Sequence, residues 1–414
     1  MLDKKYILSH DECRKILLER LSEKAPGRIQ LIVGPRQVGK TTLLLELEKK
    51  FGKQVLYAAL DSPEASLPGF WERFWVKAEE LAQSRASVFV LLDEIQVLPD
   101  WSLLLKVQWD RLVRFKLPIH IIATGSSALK LAKGSKESLA GRFERMVFSH
   151  WMAADFAKAF QLTPEKCVEL FVKMGAYPGA YSYVNDFSRW KAYVRDAIIE
   201  AAIGRDILAL APVRKPALLR QIFAVCTSMP AQIISLQKLV GQLQDAGALE
   251  TVSHYLSLLE EAFLVVGIPK YSSKEIRIRS SPPKIIMLSN ALLAATDQNG
   301  PPEPKKDPKR YGIWVENACL AMARNAGQDV KYWREEPYEV DGIIEGSWGK
   351  WAMEIKTGSI ESADLLGLLE FNKQHPEFRP IVLCDHSQVK HVERLQITAL
   401  PWQEFLLGAF PIIQ

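Results

Sequence analysis

The 414-residue chain is 48% hydrophobic and 24% charged, which excludes a mostly disordered polypeptide and, at roughly 150 residues per domain, allows two or three domains. A formal net charge of +5 is mildly basic, compatible with a nucleic-acid partner without requiring one, and five scattered cysteines (Cys13, Cys167, Cys226, Cys319, Cys384) exclude a disulfide framework and fit a reducing cytoplasm. The N-terminus lacks the apolar core of a signal peptide and no apolar run approaches the ~20 residues of a bilayer span, so a soluble cytoplasmic protein with no membrane partner is expected.

Residues 1–26 read as an amphipathic helix with Leu17, Leu18 and Leu21 on one face. Strand patterns follow at 28–33, 54–60, 88–92, 119–123 and 146–149, separated by helix patterns, and such alternation predicts a parallel sheet covered on both faces. Between the first strand and a helix at 41–49 stands Gly34-Pro35-Arg36-Gln37-Val38-Gly39-Lys40-Thr41-Thr42, a complete G-x-x-x-x-G-K-[ST] loop between the elements it needs. The glycines let successive backbone N–H groups curl around a phosphate chain. Lys40 is expected to reach the β and γ phosphates of ATP, and Thr41 to hold Mg²⁺.

The apolar strand at 88–92 runs into Asp93 and Glu94, the form of a Walker B element. Asp93 is the expected second holder of Mg²⁺, and Glu94 the residue that orients and deprotonates an attacking water. The next strand ends in Ala123-Thr124-Gly125-Ser126-Ser127, where polar side chains either contact the γ-phosphate or lytic water or cap a helix. Arg142, in Leu139-Ala-Gly-Arg142-Phe143, is a candidate arginine finger, with a surface ion pair as the alternative.

Helical periodicity dominates 151–300, broken at Gly175-Ala-Tyr-Pro-Gly179, Pro212 and Pro230. Helices at 235–244 and 251–265, with a hairpin at 274–279, read as a winged helix. The stretch 299–310, rich in proline and lysine, reads as a linker. Mixed α/β patterning resumes over 311–414, with strands near 331–333, 339–344, 350–356 and 380–384 and a helix at 311–325. Asp341 lies in one strand, and Glu354 and Lys356 share one face of the next. Two such carboxylates can hold a divalent metal, Glu316 on the preceding helix can add a ligand, and Lys356 can activate water. This is the D-(x)n-E-x-K layout of restriction-endonuclease-like nucleases, or else a salt-bridged surface.

Together these residues resemble a prokaryotic family of AAA-type ATPases that carries a C-terminal domain of unknown function. The likeness runs through Gly34–Thr42, Asp93-Glu-Ile-Gln96, Thr124-Gly-Ser-Ser127 and Leu139-Ala-Gly-Arg142. It continues through Gly175-Ala-Tyr-Pro178, Gly204-Arg-Asp206, the 251–265 helix, Tyr332-Trp-Arg334, Glu339-Val-Asp341 and Glu354-Ile-Lys356. It implies ATP binding and hydrolysis, with a winged-helix-like centre and a nuclease-like end. The chain departs from it at Ala176, Gly342 and Asn290, where a second glycine, an aromatic and an acid are usual. The expected fold is α/β: a P-loop AAA-type ATPase domain (1–150), a helical and winged-helix-like domain (151–300), and a restriction-endonuclease-like domain (311–414). The leading functional expectation is an ATPase acting on or near double-stranded DNA, with residues 251–259 as reader helix and Lys270, Lys274, Arg277 and Arg279 supplying charge. The alternative is a nucleotide-dependent switch that assembles with protein partners or as a homo-oligomer, its C-terminal domain a non-catalytic binding module.

Overall fold

The computed structural model describes residues 7–125, 139–208, 213–241, 243, 249–272 and 281–410. The chain divides into two compact units between Ser149 and His150.

In the first unit, β1 (Ile7–Leu8), β2 (Ile29–Val33), β3 (Val55–Ala59), β4 (Val88–Asp93), β5 (Ile119–Gly125) and β6 (Phe143–Phe148) form one sheet among the described residues, ordered β1-β6-β2-β5-β4-β3. Every pairing is parallel. Strands β2, β4 and β5 are buried along their whole length, as suits their mainly apolar sequences, with Gln30, Asp93, His120 and Thr124 as the buried polar exceptions. Between them run helices α1 (His10–Leu21), α2 (Lys40–Phe51), α3 (Phe70–Gln83) and α4 (Trp101–Phe115). The first helix is shorter than the expected 1–26. A reciprocal cap between Ser9 and Glu12 starts it, and a two-residue strand occupies the segment before that cap. Because all six strands point the same way, the loop after β2 and the ends of β4 and β5 share one edge of the sheet.

The second unit begins with α5 (Ala153–Phe160), α6 (Pro164–Met174), α7 (Phe187–Tyr193) and α8 (Pro216–Ser228). Then α9 (Leu236–Val240) and α10 (Leu249–Glu261) lie between the first and second strands of a small antiparallel sheet of β7 (Gln232–Ile233), β8 (Val265–Ile268) and β9 (Lys284–Met287), ordered β7-β9-β8. The expected hairpin at 274–279 lies outside the described residues; the described hairpin strands are β8 and β9. The expected helix at 251–265 ends earlier, because Phe263 turns left-handed (φ 61°) and Leu264 N–H bonds back to Leu259 O (3.0 Å).

Helices α11 (Asn290–Thr296) and α12 (Pro308–Asn325) lead to a second sheet of β10 (Asp329–Glu335), β11 (Tyr338–Gly346), β12 (Gly349–Ile355), β13 (Arg379–Cys384) and β14 (Thr398–Pro401) in spatial order. Its first pairings are antiparallel and its last two parallel. Trp333, Val340, Ile343, Phe371 and Val382 form its core against α13 (Leu366–Gln374). The stretch read as a linker is pinned in place: Glu303 pairs with Lys173 (2.8 Å) and Arg310 with Asp297 (2.6 Å). The buried Asn317 amide on α12 bonds both the N–H and the C=O of Met287, tying the helix to β9. Hence 150–414 hold together as one unit.

Candidate phosphate-binding and acid–lysine sites

The phosphate-loop sequence 34–42 runs from the carboxyl end of β2 into the first turn of α2. A Cβ on Gly34 would sit 2.7 Å from both Cβ and O of Phe148, so only glycine lets the loop pass β6. Gly39 stands at φ 99° and Gln37 at φ 61°, the left-handed turns that curl the segment. Pro35 and Val38 are buried beneath it, Arg36 is half-buried, and Gln37 and Thr42 face solvent. Lys40 is buried, and its ammonium donates to Gly34 O (3.1 Å) and Pro35 O (2.6 Å), cross-bracing the loop.

Strand β5 lies between β2 and β4, so the ends of all three meet. Thr41 Oγ1 donates to Asp93 Oδ2 (2.7 Å), Tyr57 OH donates to the same oxygen (3.3 Å), and Thr124 Oγ1 donates to Oδ1. These donors offset the cost of burying the Asp93 carboxylate at 5% exposure. Burial and then the neighbouring Asp93 push the Tyr57 hydroxyl well above its usual range, so Tyr57 stays a donor. Thr124 Oγ1 also accepts from the backbone N–H of Glu94 (3.4 Å), coupling the two acids of β4. Glu94 is half-buried and left-handed (φ 55°), and its carboxylate accepts from Gln96 Nε2. The juxtaposed Thr41 hydroxyl and Asp93 carboxylate suit Mg²⁺, which takes few protein oxygens and completes its shell with phosphates and water. Of these residues, the sequence reading did not single out Tyr57 or assign Thr124 to Asp93; Ser126 and Ser127 lie outside the described residues.

Arg142 is placed elsewhere. Strand β6 starts beside the amino end of β2 (Ile29 opposite Phe143, with Ile29 N–H bonded to Arg142 O at 2.9 Å), while the phosphate loop leaves the carboxyl end. Five residues of strand at ~3.3 Å each separate those ends. The guanidinium is forked on Asp110 (2.8 and 3.5 Å) over the ring of Trp109. Parallel register thus puts Arg142 away from its own chain's phosphate loop, in the ion pair that was the alternative reading.

In the second unit, the β11–β12 register (Gly342 opposite Met353) brings Asp341 beside Glu354 as the strand pattern predicts. Asp341 Oδ2 accepts from Ile355 N–H (3.0 Å), and Lys356 pairs with Glu354 (2.9 Å). Glu316 joins them from α12. What the sequence did not reveal is Lys284, 1% exposed on β9, whose ammonium lies 2.5 Å from Glu316, 3.1 Å from Asp341 and 3.5 Å from Glu339. The expected metal ligands Glu316, Asp341 and Glu354 therefore form a different constellation: among the described residues no three or more acids, histidines or cysteines are arranged to hold a metal. The physical reason is charge. A buried ammonium already compensates the carboxylates where a divalent ion would have to sit.

Burial opposes the charge on Lys284, but Glu316, Asp341 and Glu339 more than reverse this and raise its pKa. Burial and then Asp341 hold both Glu316 and Glu354 well above the usual carboxylate range, against Lys284 and Lys356 respectively. Asp341, despite burial, is held low by Lys284 and Lys356. A raised acid favours the fold below its unfolded pKa of ~4.3, and that contribution is lost as pH rises through the folded value. Between about pH 6 and pH 9 the melting temperature is therefore expected to fall by roughly 5 °C. Glu316→Gln should flatten the profile in buffered thermal unfolding; an unchanged slope would refute the cluster as its source.

Residues 26–157 match a family described as AAA domain, residues 167–303 one described as Domain of unknown function (DUF8612), and residues 311–405 one described as Domain of unknown function (DUF4143). No curated protein matches the chain. Among solved structures it is similar to AMPPCP-bound DnaA from Aquifex aeolicus, at 16% identity and a TM-score of 0.33 over 60% of this chain and 86% of that one. It is also similar to a RuvB variant from Thermotoga maritima, at 15% identity and a TM-score of 0.34 over 63% of this chain and 90% of that one. Among the described residues no helix is long and apolar enough to cross a membrane. The phosphate loop at the carboxyl end of a parallel sheet thus falls within the residues, 26–157, that match an AAA domain, and the two matches that follow it are to domains of unknown function.

Proposed function

We propose that this chain hydrolyses ATP as a nucleotide-dependent switch for protein partners, and that its C-terminal sheet is a binding module that does not cleave DNA. In this reading the loop N–H groups of residues 34–42 and the Lys40 ammonium bind the phosphates, and Thr41 with Asp93 would hold Mg²⁺, which when bound would supply positive charge against the transferred phosphoryl. Glu94 takes the proton of the attacking water, while Thr124, bonded to Asp93 and to the Glu94 backbone, keeps the two acids in register.

The observation that carries the non-nuclease part is the buried ammonium of Lys284 among Glu316, Asp341 and Glu339. A metal-dependent nuclease needs a cation that can polarise a phosphate and activate water, which a lysine fenced by three carboxylates cannot supply. The candidate reader helix adds support. Val252, Tyr255, Leu258 and Leu259 of α10 are buried, and its sequence carries Glu250, Glu260 and Glu261 with no lysine or arginine. Phosphate contacts dominate DNA affinity, so such a helix is a poor reader. Of the basic residues expected beside it, Lys274, Arg277 and Arg279 lie outside the described residues. The test is phosphate release from Mg·ATP with and without double-stranded DNA. Equal rates are expected; stimulation of about tenfold or more, or cleavage of the added DNA, would replace this reading with one acting on DNA.

A further inference from the structure

Strands β12, β13 and β14 run parallel, so the segments that follow them meet at one edge of the sheet. In open α/β sheets the crevice outside the carboxyl ends of parallel strands is where ligands are received. Here that edge borders a cavity of about 700 Å³, within the roughly 300–1,000 Å³ of sites that enclose a small ligand. Gly358 and Asp385 reach it from the loops after β12 and β13, Trp402 and Glu404 from α14 (Trp402–Leu406), Tyr311 from α12 and Glu165 from α6. Lys284 and the acids around it take no part in its lining.

The charged walls are of one sign. Glu165, Glu169, Asp385 and Glu404 line the cavity and no lysine or arginine does, in a chain whose formal net charge is +5. Glu169 is compensated by Lys166 and Lys173 (both 3.1 Å). Asp385 accepts from neutral donors: Trp402 Nε1 (2.8 Å), Gln403 Nε2 (3.5 Å) and the Gly358 N–H (2.7 Å). Those bonds fix the carboxylate in place without cancelling its charge. Tyr311 is 9% exposed, its ring edge-on to Trp402 (centroids 6.2 Å apart), and its hydroxyl has no hydrogen-bond partner among the described residues. Burial, then Asp385 and Glu169, push that hydroxyl up to about 12, so it keeps its proton and has lone pairs to offer an incoming donor.

A carboxylate without a cation and a hydroxyl without a partner call for a positive group that carries N–H donors. Pro164, Pro304 and Pro308 supply apolar wall for the methylene stem such a group would ride on. A guanidinium suits this best, because its planar fork of donors can serve carboxylates on two walls and lie against an aromatic ring. We propose that the cavity is a docking pocket for an arginine side chain on a segment of a protein partner. The inference rests on the reading of this chain as a switch for protein partners and adds the chemistry by which one is recognised.

The experiment titrates the full chain, without nucleotide and at low ionic strength, with the blocked tripeptide acetyl-Ala-Arg-Ala-amide, followed by calorimetry. Saturable binding with a dissociation constant on the order of 1 mM is expected. Citrulline in place of arginine keeps the planar shape without the charge and should weaken binding by about tenfold or more. Glu165→Gln with Glu404→Gln changes two carboxylates at exposed positions, where the fold is not at stake, and should cost about tenfold. Tyr311→Phe keeps the ring, removes the acceptor and should cost about threefold or more. Thermal unfolding checks that each variant is folded. Equal binding of the citrulline peptide, or undiminished binding by the folded variants, would overturn the proposal. So would spermidine binding about tenfold tighter than the peptide, which would make the occupant a free polyamine. No saturable binding of the tripeptide up to about 10 mM would overturn the pocket and leave the switch reading untouched. Arginine-dependent binding together with DNA-stimulated hydrolysis would keep the pocket and replace the switch reading.

Discussion

Glu94→Gln is expected to bind ATP within about threefold of wild type while its turnover falls by roughly 10² to 10⁴-fold, the usual worth of a positioned general base. The substitution is nearly isosteric and leaves the left-handed backbone at 94 and its N–H bond to Thr124 in place. An amide oxygen can still accept the hydrogen bond from Gln96 but cannot take a proton from water. The loss should therefore appear in hydrolysis and spare binding, about 3 to 5.5 kcal/mol of barrier with little ground-state change. Single-turnover phosphate release, paired with retention of labelled ATP on a filter, separates the two. Hydrolysis within about threefold of wild type would remove Glu94 from its role.

The same carboxylate shows why parts of this protein are legible in its sequence. The loop 34–42 and the pair Asp93-Glu94 are contiguous strings attached to buried strands, so neighbours along the chain determine what they do. Strand polarity follows from the alternation of elements, and it brings Thr41, Asp93 and Thr124 to one edge although they are 52 and 31 residues apart. Arg142 fails the same test. Nothing in its local string says which end of β6 it occupies, and the parallel register with β2 decides the matter. Lys284 is harder still, since its partners are 32, 55 and 57 residues away on a helix and in another sheet. A lysine opening a short apolar strand, Lys284-Ile-Ile-Met287, reads as a solvated end. Only the packing of α12 against β9 makes it the least exposed charge in the cluster. The acid–lysine spacing at 341–356 thus specifies an arrangement of strands, while the charge balance within it depends on a residue outside the motif.

Lys40→Ala is expected to weaken ATP binding by about 100-fold or more and to abolish turnover at ordinary nucleotide concentrations. Two charge-assisted hydrogen bonds at about 1.5 to 3 kcal/mol each would account for at least that factor. Two effects act together. The phosphates lose their buried point charge, and the carbonyls of Gly34 and Pro35 lose the ammonium that bonds both. Lys40→Arg separates these effects, because it keeps the charge but brings a planar fork to a place built for a compact ammonium. If bracing by the compact donor is essential, arginine will rescue little; if charge alone matters, it will recover most of the affinity. Calorimetric titration with a non-hydrolysable ATP analogue distinguishes the outcomes, and thermal unfolding checks that the loop substitution leaves the rest of the fold intact. Binding by Lys40→Ala within about threefold of wild type would mean that the loop N–H groups and Thr41 hold the nucleotide by themselves. The close ammonium–carbonyl contacts argue against that outcome. They hold the lysine at the mouth of the loop, so that little of its freedom is left to lose on binding.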